Sequence, residues 1–165
     1  MNIVDALLGE HGMLYVQFDY IEPAVSRIED LTVIKAAGRA LAATVQSHLT
    51  LEDELLCARV ISALKSHPPV IGCEMSHDEI DRGFVQLWAA EDPTTAQGNL
   101  LGILALARRH SFGQERVLFP LARRMLTSEV MRVLGAEWAK RRGIVVQPDG
   151  PMGQPQMSAV QPKDS

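Results

Sequence analysis

Apolar residues recur at steps of three and four along most of this chain, and that period predicts helices rather than strands. The first stretch runs from about Ile3 to Ile21, before Pro23 disturbs it. The second is longer, from about Val33 to Leu64. It ends at SHPPVIG (66–72), where two prolines cannot continue a helix. A short and a long helix therefore precede a clear break.

The same order repeats after the break. A third helix begins near Ser76, a candidate N-cap in a capping box. The fourth runs from about Thr95 to Met125, and a short fifth helix follows a cap at Thr127 or Ser128 and stops at Gly143. Short connections between long helices predict an all-α fold, an antiparallel up-and-down four-helix bundle with a short fifth helix at its C-terminal end.

Composition agrees with one helical domain over residues 1–143. Apolar residues make up 47% of the 165 residues but aromatics only 5%, so the core must consist mostly of aliphatic side chains, which favours helices over a β-sandwich. Residues 144–165 are rich in Pro, Gly and Gln, and we predict a disordered tail there.

Charge and cysteine usage narrow the class of protein further. A net charge of -4 argues against nucleic-acid binding by phosphate neutralisation. No apolar run reaches about 18 residues, and the N-terminus lacks the basic region of a signal peptide. Cys57 and Cys73 form no CxxC motif and are too few for a disulfide framework. We therefore expect a cytoplasmic protein with no membrane or nucleic-acid partner.

Histidines carry the strongest functional signal. Of five, His67 lies in the proline-rich break and is expected to face solvent. The other four fall one per helix, each on the apolar face: His11, His48, His77 and His110. A single histidine in such a position is most often an ordinary core residue, but four in one bundle are not explained that way.

Two carboxylates accompany these histidines. Glu52 lies four residues after His48, so both side chains point the same way. Glu115 lies five residues after His110 and converges with it only if its side chain reaches around or the helix is locally unwound, as in a π-bulge. Gln114 takes the regular position instead, as a possible hydrogen-bonding group. One such pair could be structural, but the whole set suits a metal such as iron, manganese or zinc.

Four stretches, together with the closing helix, resemble the hemerythrin-like, or HHE cation-binding, domain family. They are EH (10–11), HLTLEDELL (48–56), SHDEI (76–80) and HSFGQERVLFP (110–120), within a resemblance that covers about residues 3–143. It implies a four-helix bundle that holds two non-haem iron ions joined by an oxo or hydroxo bridge. By the same resemblance His11, His48, His77 and His110 would be ligands, and Glu52 and Glu115 would bridge the irons.

The third helix departs from the family pattern. Respiratory hemerythrins carry HxxxH there, whereas Cys73 precedes His77 by four residues and Asp81 follows it by four. The centre would then have six protein ligands, or a seventh from Asp81, while Cys73 is expected to be a near-surface thiol. An open coordination position would suit O₂, NO or peroxide. Tyr15, one turn after His11, is either plain core or a hydrogen-bond donor to a bound ligand.

Three functions stay open at this point. The first is a di-iron protein that binds or senses a small molecule (O₂, NO or peroxide) or iron itself. The second is a di-iron enzyme for peroxide or NO detoxification or for iron-centre repair. The third is a metal-free helical interaction module whose histidines and glutamates are structural.

Overall fold

The computed structural model describes residues 1–64 and 73–145, with the backbone alone for 73–75. Every regular element within these residues is helical, as the sequence predicts. Two five-residue π-helical segments interrupt the longer helices. In chain order the elements are α1 (Ile3–Val25), α2 (Leu31–Glu52), the first π segment (Asp53–Cys57), α3 (Ala58–Ala63), α4 (Cys73–Ala89), α5 (Pro93–Gly113), the second π segment (Gln114–Leu118), α6 (Phe119–Met125) and α7 (Ser128–Arg141).

The first helix is longer than its sequence pattern predicts. Asn2 caps it, because its side chain accepts a hydrogen bond from Asp5 N at 3.1 Å. Pro23 lies inside the last turn rather than after it, and α1 continues to Val25. Val25 is fully buried, so its packing outweighs the backbone hydrogen bond that a proline removes.

The two predicted long helices correspond to α2 and α5, each continued by a π segment and a short helix. Counted in this way, both have the predicted extents within two residues. Asp30 caps the first of them, accepting from Thr32 N at 2.7 Å. The second π segment, Gln114–Leu118, shows the local unwinding that was one of the two alternatives considered after His110. The first π segment, Asp53–Cys57, was not predicted, because the spacing of His48 and Glu52 already fits an ordinary helix.

The predicted start of the third helix is wrong. The helix α4 begins at Cys73, so Ser76 lies within it and is not its N-cap. The Ser76 hydroxyl instead lies 2.7 Å from His110 Nδ1. The expectations for the proline-rich break with its His67, for the Cys73 thiol and for the tail from residue 146 fall outside the described residues.

Buried apolar residues form two clusters that the histidines separate along the chain. One cluster takes residues from the start of α1, the end of α2, both π segments, α3, α6 and α7, including Leu7, Phe119 and Trp138. The other takes residues from the rest of α1, α2, α4 and α5, including Phe18 and Phe84. The buried polar residues are His11, His48, Glu52, His77, His110, Ser111 and Gln114. The fold therefore places a polar layer between two apolar cores.

The helix α7 confirms the predicted fifth helix. Thr127 caps it by accepting from Val130 N, and Gly143 ends it with a positive φ of 67°. Gly135 lets α7 approach the start of α1, because a Cβ atom there would lie 2.8 Å from the carbonyl carbon of Asn2. Across residues 1–64 and 73–145, no helix combines the length and the apolar character that crossing a membrane requires.

Candidate metal centre

The inner nitrogen atoms of the four helix histidines meet in two pairs. His11 Nε2 lies 3.1 Å from His48 Nε2, and His77 Nε2 lies 3.3 Å from His110 Nε2. All four rings are buried. The structure thus brings together the histidines that the sequence singled out, one from each of α1, α2, α4 and α5.

Glu52 lies between the two pairs. Its Oε2 atom is 3.3 Å from His110 Nε2, 3.7 Å from His77 Nε2 and 4.0 Å from His48 Nε2. The carboxylate is fully buried. Its other oxygen, Oε1, accepts from Gln114 Nε2 and from the Cys57 thiol, the latter at 3.7 Å. Among the described residues, Glu52, His77 and His110 have ligand atoms that all lie within 4.8 Å of one another, a spacing that one metal ion fits.

The outer ring nitrogen of each histidine forms a hydrogen bond with a residue of another helical element. The four contacts are His11 Nδ1 to Glu115 Oε1 at 2.9 Å, His48 Nδ1 to Glu10 Oε2 at 2.7 Å, His77 Nδ1 to Asp53 Oδ2 at 2.9 Å and His110 Nδ1 to Ser76 Oγ at 2.7 Å. Metal-ligating histidines generally have their second nitrogen bound in this way, which fixes the orientation of the ring.

These contacts repeat the internal duplication of the sequence. Glu10, which precedes His11, binds His48 in the first half of the chain. In the second half, Ser76, which precedes His77, binds His110. Two further contacts join the halves, each from a carboxylate five residues after a histidine. Glu115, which follows His110, binds His11, and Asp53, which follows His48, binds His77. Both carboxylates lie in π segments, where the wider turn changes the direction of their side chains.

The hydrogen-bonding pattern determines which nitrogen atoms face the centre with a lone pair. An ionised carboxylate accepts but cannot donate, so Nδ1 of His11, His48 and His77 must carry the hydrogen. In a neutral ring, Nε2 then presents a lone pair inward. Several lone pairs and a carboxylate packed within about 4 Å repel one another unless a cation lies among them. The residues present therefore fit a metal ion, and imidazole with carboxylate suits iron, manganese or zinc.

The pKa shifts of Glu52 and His77 favour positive charge in the centre, whereas the pKa shift of His11 does not. Burial opposes ionisation of Glu52, but His110 and His77 outweigh it and hold the pKa of Glu52 well below its usual range. Burial likewise opposes protonation of His77, yet hydrogen bonds to Asp53 and Glu52 raise the pKa of His77 to about 10. Burial and the nearby His48 lower the pKa of His11. Without metal, the centre therefore takes up a proton at His77.

Glu115 lies on the outer side of the centre. Its Oε1 atom accepts from His11 Nδ1 and, at 3.0 Å, from the Tyr15 hydroxyl. Its role as a bridging ligand stays a prediction. Tyr15 reaches Glu115 from α1, while Asp81, considered above as a seventh ligand, is exposed and accepts from Gln46 at 3.3 Å. Gln114 contacts Glu52, in the hydrogen-bonding role considered for it.

Sequence reasoning missed three of the residues that hold the histidine rings. Glu10 and Asp53 were noticed only as parts of motifs, and Ser76 only as a helix cap and as part of a motif. An alignment of the two halves would have indicated Asp53, because it follows His48 by the same five residues that separate Glu115 from His110. The partners of Glu10 and Ser76 depend on how helices pack, which spacing along one helix does not reveal.

Comparison with known proteins adds one finding. The model of the hemerythrin HHE cation-binding domain matches residues 2–122, which include the four histidines, Glu52 and Glu115. No curated protein and no solved structure matches the chain significantly. The match spans most of the chain and contains the whole buried histidine cluster. This protein therefore belongs to the hemerythrin HHE cation-binding domain family.

Proposed function

We propose that this protein is a non-haem di-iron protein that binds or senses a small molecule, O₂, NO or peroxide, or iron itself. The observation that carries the proposal is the meeting of four buried Nε2 atoms in two pairs, with three of these atoms within 4.0 Å of one buried carboxylate. Family membership supports cation binding. Two ions, iron as the metal, and the small-molecule partner are parts of the proposal.

The two histidine pairs account for two ions. His11 and His48 would hold one cation and His77 and His110 the other, with Glu52 shared because its carboxylate lies near both pairs. Glu115 would supply the second shared carboxylate, as the family resemblance implies. The same resemblance supports an antiparallel up-and-down four-helix bundle, in which each of four helices contributes one histidine.

The surrounding residues would keep the centre dry and ordered. Phe119 stacks on the His11 ring with centroids 5.3 Å apart, and the two apolar clusters lie on either side of the polar layer. Burial and the hydrogen bond to Glu115 raise the pKa of Tyr15 to about 12, so its hydroxyl stays protonated and donates. Bound iron would supply Lewis acidity and one-electron redox chemistry. A cytoplasmic location, proposed from the cysteine usage, would keep the iron under reducing conditions.

The experiment loads the protein with ferrous iron under anaerobic conditions and exposes separate samples to O₂, NO and peroxide. A reversible change in the absorption spectrum with one of them supports a binder or sensor. Consumption of peroxide or NO beyond that of free iron supports the enzyme alternative. Glu52→Gln should abolish the response, whereas Glu22→Gln, on the exposed side of α1, should leave it intact. A protein that takes up no iron would contradict the proposal.

A further inference from the structure

The helix α7 lies outside the residues that the family model matches, yet it contacts the metal centre through a single carboxylate. Glu10 Oε2 accepts from His48 Nδ1 at 2.7 Å. Its other oxygen, Oε1, accepts from Trp138 Nε1 at 3.0 Å and from Arg142 Nε at 2.6 Å. Trp138 is in α7 and Arg142 is its C-terminal cap residue.

The position of α7 is well defined where it makes these contacts. Trp138 and Ala139 are buried in the apolar cluster with Leu7, and Gly135 lies against the backbone at Asn2. At the end of the helix, Ile144 N donates to Ala139 O and Gly143 N to Lys140 O, which is a Schellman motif. This motif ends the helix at the residue whose guanidinium binds Glu10. Both donors are therefore held by packing and by the helix end.

Electrostatics make Glu10 a strong acceptor. The Arg142 guanidinium, which is always charged, forms an ion pair with the Glu10 carboxylate at 2.6 Å. An ionised carboxylate fixed by two donors on one oxygen leaves the other oxygen aimed at His48 Nδ1. His48 then keeps its hydrogen on Nδ1 and its lone pair on Nε2, which faces the centre.

A groove borders this arrangement. It has a volume of about 910 Å³, and Glu10, His48, Trp138 and Arg142 are among its lining residues. Water in the groove would compete for Glu10 if α7 moved away, because the two α7 donors would then leave that carboxylate.

We propose that Trp138 and Arg142 are positioning residues of the metal centre, so that their hydrogen bonds to Glu10 determine how tightly the site retains its metal. The inference rests on the proposed metal centre. On this proposal, the segment after the residues that match the family model forms part of the metal centre.

The test is the rate at which a chelator removes iron from the loaded full-length protein. Replacing a group that orients a metal ligand typically weakens metal binding about 10- to 100-fold, and we expect Glu10→Gln to speed iron loss by at least about tenfold. Trp138→Phe keeps an aromatic ring in the apolar cluster but removes the donor, and Arg142→Gln removes the charge. Each should speed iron loss by a smaller factor. The matched controls are Glu22→Gln on α1 and Arg132→Gln, which breaks an exposed ion pair on α7.

A double-mutant cycle separates positioning from general destabilisation. If Trp138 acts through Glu10, then Trp138→Phe should have little further effect in the Glu10→Gln background, because contacts within one network are not additive. Fully additive effects, or loss rates equal to those of the controls, would overturn the proposal.

A second readout needs no metal. In the metal-free protein, the ring nitrogen resonances of His48 should show hydrogen on Nδ1, and Trp138→Phe should shift or broaden that signal while Arg132→Gln does not. An unchanged His48 signal in Trp138→Phe would count against the role of α7 even if iron binds. A wild-type protein that binds no iron would instead reject the metal centre, and these resonances would still decide whether α7 orients the ring.

Discussion

The Glu52 carboxylate lies within 4.0 Å of the inner nitrogens of His48, His77 and His110. It is fully buried, and its ionised form depends on positive charge in the centre. We therefore expect Glu52→Gln, which keeps the shape but removes the charge, to lose most of the bound metal. Metal content after reconstitution and desalting measures this, with Glu22→Gln as the control. Full metal content in Glu52→Gln would show that this carboxylate is not a ligand.

Asp53 offers a prediction at the same scale with a different outcome. It binds His77 Nδ1 at 2.9 Å and is itself partly exposed. We expect Asp53→Asn to weaken metal binding by about 10- to 100-fold without changing the number of ions bound at saturation. Competition with a chelator measures the affinity. Asp78→Asn, exposed and next to His77 in the sequence, is the matched control. A reduced number of ions at saturation would mean that Asp53 is a direct ligand.

Residue types and spacing predicted the inner part of this centre but not its outer part. An inward histidine on each of four helices is visible from the helical period, and so is the pairing of His48 with Glu52. The hydrogen bonds that join Glu10 to His48 and Ser76 to His110 connect residues more than thirty positions apart. They arise from the packing of one helix on another, which the period along a single helix does not determine.

At the scale of helices, α7 comes close to the start of α1 at Gly135. A methyl group there would meet the carbonyl carbon of Asn2, which cannot rotate away as a side chain can. We expect Gly135→Ala to lower the free energy of unfolding by about 1–3 kcal/mol through overpacking. Thermal or chemical denaturation measures this.

Gly98→Ala is the matched control for that substitution. Gly98 lies within α5, and nothing would meet a Cβ atom there within 4 Å. Alanine at that position should raise the free energy of unfolding by up to about 1 kcal/mol, because it favours the helix. Equal effects of the two substitutions would mean that a Cβ atom at position 135 meets no steric obstacle, which would contradict the close approach of α7 to α1.

The helix pattern was predicted well where apolar periodicity is long and less well at the ends and at the π segments. The second π segment was one of two alternatives that the five-residue spacing of His110 and Glu115 left open. The first is indicated only by Asp53, whose role emerges when the two halves of the chain are compared. Pro23 was expected to end α1 and does not, because burial of Val25 compensates for the missing hydrogen bond.

For the whole molecule, the raised pKa of His77 predicts how the stability of the metal-free protein depends on pH. A histidine whose pKa is raised on folding stabilises the fold below its unfolded value of about 6.5 and loses that contribution as pH rises to about 10. The free energy of unfolding of the metal-free protein should therefore fall between these pH values. Urea denaturation across the range measures it, and His77→Gln should remove most of the fall.

The metal-loaded protein should behave in the opposite way. Metal binding needs neutral histidines and ionised carboxylates, so acidification below about pH 6.5 should release the metal. Full retention at mildly acid pH would argue against histidine ligation. Because a bound ion stabilises only the folded state, removing it with a chelator near pH 8 should lower the melting temperature.

The most direct test of the metal centre is the metal content of the wild-type protein, purified under anaerobic conditions and reconstituted with ferrous iron. We predict about two iron ions per chain, in keeping with carboxylate-bridged centres in helical bundles. We also predict an absorption spectrum that changes when the protein is exposed to air. A protein that takes up no iron, manganese or zinc, and whose stability a chelator leaves unchanged, would contradict this account and make the four histidines structural residues.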